Sequence, residues 1–157
     1  MQLGTLVHQA TAVSTAVLCL KFYAAIMVQG GKRFKAGSRP PEDAAMSIAK
    51  GVPQNFIGSP REDDPKVKKA KEDDRRWTRI IQNDLENIPL GLIVSWASVL
   101  SAKSSTAHLT FCAMFTLGRI GHTIAYAKGL QPHRALFWLA AVLGVLGMAV
   151  NAMLGAF

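Results

Sequence analysis

Two groups of polar residues sit where their types and spacing suit the grip of a small charged molecule. Arg79, Asn83 and Glu86 follow an i, i+4, i+7 pattern, which on a helix forms one stripe. Arg119, His122 and Tyr126 follow i, i+3, i+7 and form a second stripe, with His122 and Tyr126 as neighbours on it. Arg33 and Arg134 stand at the edges of apolar segments. The chemistry these types point to is carboxylate recognition. Arg33, Arg79 and Arg134, joined by Arg119 and Arg76, outnumber the fixed anions near them. Guanidinium binds carboxylate through two parallel hydrogen bonds, so the set suits a small polyanion.

The setting of these residues is apolar. Hydrophobic residues make up 50% of the 157, and the mean hydropathy is +0.20. Charge is concentrated in one region: residues 29–79 hold thirteen of the eighteen Lys and Arg and eight of the ten Asp and Glu. The remainder is nearly uncharged. That partition implies apolar segments with one wet loop, not a soluble core in a charged shell. The net charge of +8 does not point to nucleic acid, because the basic residues share their loop with acids and no nucleic-acid motif is present. A loop beside an anionic membrane surface accounts for the same excess. Cys19 and Cys112 lie inside apolar segments without metal-ligand spacing, so no metal site is expected.

Four helices are expected to position the stripes. The first covers residues 3–28, long enough for a bilayer, which takes roughly 20 residues. It reads as a retained helix and not a signal peptide, because no basic residue precedes it and Lys21 interrupts it. A polar loop covers 29–75, with Gly30-Gly31, Pro40-Pro41, Pro53, Pro60 and Pro65. A short helix is expected inside it at Pro41–Lys50, where acids follow a proline at a helix start. The second helix covers 76–101, polar in its first half and apolar from Ile88, with Pro89 as a possible kink. The third covers 106–126. The fourth covers 135–157, uncharged throughout, with Gly144 and Gly147 suited to close helix contact. A chain this short cannot wrap an apolar helix in protein, so lipid must do so. The fold class is therefore all-α, a single four-helix transmembrane domain. Four spans put the basic loop 29–75 and the turn Lys128–Arg134 on one side, which the positive-inside rule makes cytoplasmic.

An ionisable side chain at the centre of a membrane helix costs roughly 2.5–3.5 kcal/mol on insertion scales, so it is paired, snorkels or is used. Each candidate has a plain reading. Arg79 and Glu86 fit an interhelical ion pair with Arg119; Tyr126 fits an interfacial belt, His122 a hydrogen-bonded core, Arg134 a snorkelling cation. Lys21 is expected to pair with Asp84 or another internal acid. Asp84 and Asn87 read as structural. The joint pattern is more specific than its parts.

The segment Trp77–Ile88, WTRIIQNDLENI, with its Arg79-x3-Asn83-Asp84-Leu85-Glu86-Asn87, resembles the signature of the membrane-associated proteins in eicosanoid and glutathione metabolism. Other blocks agree: Arg33 twelve residues after Lys21, Pro41-Glu42-Asp43, Gly118-Arg119-Ile120-Gly121-His122-Thr123-Ile124-Ala125-Tyr126, and Gln131-Pro132-His133-Arg134-Ala135-Leu136. The likeness runs from Lys21 to Trp138. It is nearest to the microsomal glutathione transferases, then to the microsomal prostaglandin E synthases. The resemblance implies a homotrimer in the endoplasmic reticulum membrane, with glutathione bound between protomers near the cytoplasmic side. It implies that Arg33, Arg79, Asn83, Glu86, His122 and Tyr126 bind glutathione and that Arg134 stabilises its thiolate. The implied reaction is conjugation of glutathione to apolar electrophiles arriving from lipid, with possible reduction of lipid hydroperoxides. Departures are informative. Ile81 stands where the family often has His, and Gln82 where the prostaglandin synthase has Arg. Ala135 replaces a serine linked to prostaglandin chemistry, Trp138 replaces a Tyr or Phe, and Arg75 replaces a frequent acid. Ala44 stands at the stress-sensing cysteine of the microsomal transferase, so thiol-triggered activation is not expected. Residues 52–75 match poorly. Alternatives are a prostaglandin E synthase-like isomerase, a non-catalytic lipid-binding scaffold of the same fold, and a small transporter or channel subunit.

Overall fold

A computed structural model describes residues 3–58 and 64–157. It is all-helical, with four long helices and no strand among the described residues: α1 Leu3–Ala36, α2 Pro65–Ser101, α3 Ser105–Ala127 and α4 His133–Ala156. Two of them, Gly4–Ala36 and His133–Ala156, are long and apolar enough to cross a membrane.

The charged ends of the first two helices differ from expectation. α1 does not stop at 28 but runs to Ala36. Gly30 and Gly31 are absorbed in it, and apart from their own stretch of helix no described atom lies within 4 Å of where their Cβ would be. The stop is Gly37, at φ +71°. Its N–H reaches Phe34 O at 3.2 Å, and Ser38 N–H reaches Arg33 O at 3.1 Å, the paired hydrogen bonds of a glycine-terminated helix end. α2 does not begin at 76 but at Pro65. Asp64 precedes it, and its Oδ1 accepts from Lys66 N–H at 2.8 Å. An acidic cap followed by proline at the first helical position is a strong start signal, and the Lys- and Glu-rich run behind it propagates readily. The polar loop is therefore shorter than 29–75; its Pro60 lies outside the described residues. The expected helix at Pro41–Lys50 is two 3-10 turns, Pro41–Ala45 and Ser47–Ala49, ended by Lys50 in the left-handed region.

The chain forms two compact units, Met1–Phe22 with Asn83–Phe157, and Tyr23–Gln82. The first has an apolar core of Leu18, Ile88, Cys112, Phe115, Ala141 and Met148. Glycine sets its helix spacing. A Cβ at Gly144 would lie 2.7 Å from both Phe111 O and Phe115 N, and one at Gly147 would lie 2.5 Å from the Phe111 ring. The close approach of α3 and α4 thus uses the two expected glycines, and Gly118 as well.

Small polar groups tie the helices of this unit together. Thr11 gives its hydroxyl hydrogen to Val7 O at 3.0 Å. Its oxygen therefore accepts from His108 Nε2–H at 2.8 Å, which leaves Nδ1 bare to accept from Ser98 Oγ–H at 2.9 Å. One tautomer thus satisfies three helices, and His108 is fully buried. Trp96 Nε1–H donates to Thr15 Oγ1 at 3.1 Å. At the α2–α3 turn, Asn151 accepts from Ser104 N–H at 3.0 Å and donates to Ser104 O at 2.9 Å. In apolar surroundings unpaired polar groups are costly, so such bonds fix helix register.

The second unit is wetter. Lys32 Nζ lies 2.7 Å from Asp73 Oδ2, Ser38 Oγ donates to Asp74 Oδ2 at 2.6 Å, and Arg39 Nε lies 2.7 Å from Asp43 Oδ2. The Gln54 amide closes its loop, donating to Phe34 O and Val52 O at 3.0 Å each.

Candidate functional site

α2 carries Arg79, Asn83 and Glu86 on one unbroken helix. α3 carries Arg119, His122 and Tyr126, and Arg134 falls in the first turn of α4. Arg33 lies in the last turn of α1 and not beyond it.

In the second unit Arg33 and Arg79 line one open, polar cavity of about 670 Å³ with Ser38, Lys71, Asp74, Arg75, Thr78 and Gln82. Phe56, Ile57 and Gly58 form its apolar wall. Four cations face one acid there. Lys71 and Arg75 were not among the residues expected from the sequence; their signal was present, since Lys71, Arg75, Arg79 and Gln82 recur at helical spacing once α2 is known to start at Pro65. Such a lining holds carboxylate groups well.

In the first unit His122, Tyr126 and Arg134 lie together. The His122 and Tyr126 rings meet edge to face with centroids 5.6 Å apart. The Arg134 guanidinium stacks over the Tyr126 ring, 4.5 Å from its centroid, a favourable placement for a cation. With the Gln131 amide turned so that its oxygen faces the cation, Arg134 Nη2 and Nε donate to it at 2.5 and 3.2 Å. Gln131 was not expected as the residue that holds Arg134. His122 is buried, and its Nδ1 has no hydrogen-bond partner among the described residues.

Arg119 departs from its expected place among the cations of a cleft. It is fully buried. Its Nη2 lies 2.5 Å from Asp84 Oδ1 and 2.9 Å from Asn83 Oδ1. The other Asp84 oxygen takes Lys21 Nζ at 2.5 Å, as the depth of Lys21 implied. Asp84 supplies the counter-charge of Arg119. Asn87 donates to the Asn83 backbone carbonyl one turn earlier at 2.8 Å. Among the described residues no cluster of three or more His, Cys, Asp or Glu is placed to hold a metal ion.

Long apolar helices, a polar ion network inside one unit and a cation-lined cavity in the other define a class: helical membrane-type proteins with polar sites built from helix stripes. The model of the MAPEG family matches residues 10–154, and the chain belongs to that family. The family is membrane-bound, includes glutathione transferases and prostaglandin E synthases, and generally uses glutathione as substrate or cofactor. No curated protein matches the chain.

Proposed function

We propose that the chain is a membrane glutathione transferase, conjugating glutathione to apolar electrophiles and reducing lipid hydroperoxides as a side activity. The observation that carries this reading is the Arg134 guanidinium, held by Gln131 and seated on Tyr126 beside His122, in a chain of a glutathione-using family. Glutathione supplies a thiol, which must be ionised to attack. Free thiols titrate near 8.5. A guanidinium close to the sulfur in a partly dry site lowers that value by about 1–3, and this is the role of Arg134. Arg33 and Arg79 hold carboxylates, Glu86 takes the amino group, and Asn83, His122 and Tyr126 bind the peptide's polar atoms. The cation-rich lining around Arg33 and Arg79 suits the carboxylates.

In this reading the chain works as one four-helix transmembrane domain in the endoplasmic reticulum membrane. All four helices span, basic loops are cytoplasmic, and three copies assemble with the tripeptide bound between them. The exposed apolar side chains of α4, among them Leu136, Leu139, Leu143, Leu146, Val150 and Leu154, support contact with lipid or a second copy. The electrophile arrives from the hydrocarbon phase.

The test is Arg134→Ala in detergent-solubilised protein, with glutathione binding and thiolate absorbance measured separately. Thiolate formation falls by about tenfold or more, while binding falls far less. Equal loss of both overturns the role given to Arg134. No glutathione binding by the folded parent would favour a lipid-binding scaffold. Turnover of a prostaglandin endoperoxide in place of electrophiles would favour the isomerase, which Ala135 opposes.

A further inference from the structure

The buried ions of the first unit do more chemistry than neutralising one another. Lys21 and Arg119 carry two positive charges against one on Asp84, and the Arg119 and Asp84 side chains are both 0% exposed. Replacing buried ion pairs by apolar groups is often neutral or stabilising, so such a group is weak evidence of a stability role. The geometry suggests another task. Arg119 Nη2 is shared between Asp84 Oδ1 and Asn83 Oδ1. Arginine has only donors, so the Asn83 atom facing it must be the amide oxygen. That bond fixes which way the amide lies. The Asn83 NH2 group is then turned away from Arg119, with its two donors in a set direction. Asp84 holds Arg119 in place, and Lys21 holds the other oxygen of Asp84.

We propose that Arg119 is a positioning residue, which through its shared Nη2 fixes the Asn83 amide with its NH2 group toward an acceptor of the bound peptide, a carbonyl or carboxylate oxygen. Asp84 and Lys21 complete the lock from behind. The inference rests on the glutathione reading and deepens it. Arg119 never touches the ligand. A plain helix-pairing role would make Arg119 matter for stability alone, whereas the lock makes its effect on affinity depend on Asn83.

The experiment is a double-mutant cycle on glutathione affinity in the full chain in detergent, by equilibrium dialysis, with thermal unfolding measured in parallel. Asn83→Asp keeps an acceptor for Arg119 and removes both donors. It should stay folded, with a melting temperature no lower than the parent, and lose affinity roughly tenfold. Arg119→Lys keeps the charge for Asp84 but not the shared fork, and should lose affinity roughly as much. In an Asn83→Ala background, Arg119→Lys should cause no further loss. Additive losses, or parental affinity in Asn83→Asp, overturn the inference while leaving the glutathione reading intact. Where Arg119→Lys does not fold, Arg119→Gln, which leaves Lys21 opposite Asp84, takes its place in the same cycle with the same expected and overturning outcomes. Absence of glutathione binding by the parent protein overturns both.

Discussion

The two units handle charge in opposite ways. The unit of Met1–Phe22 and Asn83–Phe157 places few charges, and the central three are almost fully withdrawn from solvent, with Lys21 12% exposed and Asp84 and Arg119 0%. The unit of Tyr23–Gln82 carries most of the charge, and its ion pairs stay wet: Lys32 and Asp73 are 30% and 37% exposed. In the first unit these three ions partner one another, because an unpaired buried ion costs several kcal/mol. In the second, water takes up any slack, so pairs there are interchangeable and cations can gather around a cavity without one acid each. The lesson is that the same residue types do different work by setting. Arg119 in the interior is held by Asp84 and Asn83, whereas Arg33, Arg75 and Arg79 border an open cavity.

Four substitutions break or sharpen that contrast. Asp84→Ala has the largest effect. It strands Lys21 and Arg119 as buried cations, and the expected destabilisation is about 3–5 kcal/mol, read from unfolding in mixed detergent micelles. Stability equal to the parent would show that water reaches this interior and that the two units do not differ in kind. Next is glycine packing. Gly144→Ala drives a Cβ against backbone atoms 2.7 Å away and should cost about 1–3 kcal/mol. Gly30→Ala, with open space around it, should be neutral or gain up to about 1 kcal/mol of helix propensity. The same unfolding assay compares them, and a larger loss at Gly30 would reverse the assignment of tight and loose helices. The smallest effect is Lys32→Ala. It removes a solvent-screened pair worth about 0–1 kcal/mol, and a shift in unfolding beyond that range would mean the second unit also depends on individual ions.

Much of this was legible in the residue order. Four helices, their apolar stretches, the pairing of Lys21 with an internal acid and the close-packing role of Gly144 and Gly147 all follow from type and spacing. Two helix ends are not legible in it, for opposite reasons. Gly30-Gly31 looks like a break, yet a helix tolerates glycines at a modest cost, and the true stop is Gly37, the one of these three that adopts the left-handed conformation. Lys66–Arg76 looks like loop because it is charged, yet its residues are good helix formers behind an Asp64-Pro65 start. The stripe on α3 was also read as one surface. Helical spacing places Arg119, His122 and Tyr126 on a common side, but it does not say what lies opposite each of them.

By itself the sequence determined what is local and periodic: which segments are apolar enough for helices, which side of a helix a residue shares, and which charges sit too deep to stay unpaired. Only the tertiary structure decided partners. That Arg119 faces Asn83 and Asp84, that Gln131 holds Arg134 on Tyr126, and that Lys71 and Arg75 join Arg33 and Arg79 depend on residues far apart in the chain or on the true helix start. Hydrogen bonds act over about 3 Å, and no spacing rule along one helix fixes what a neighbouring helix brings within that reach.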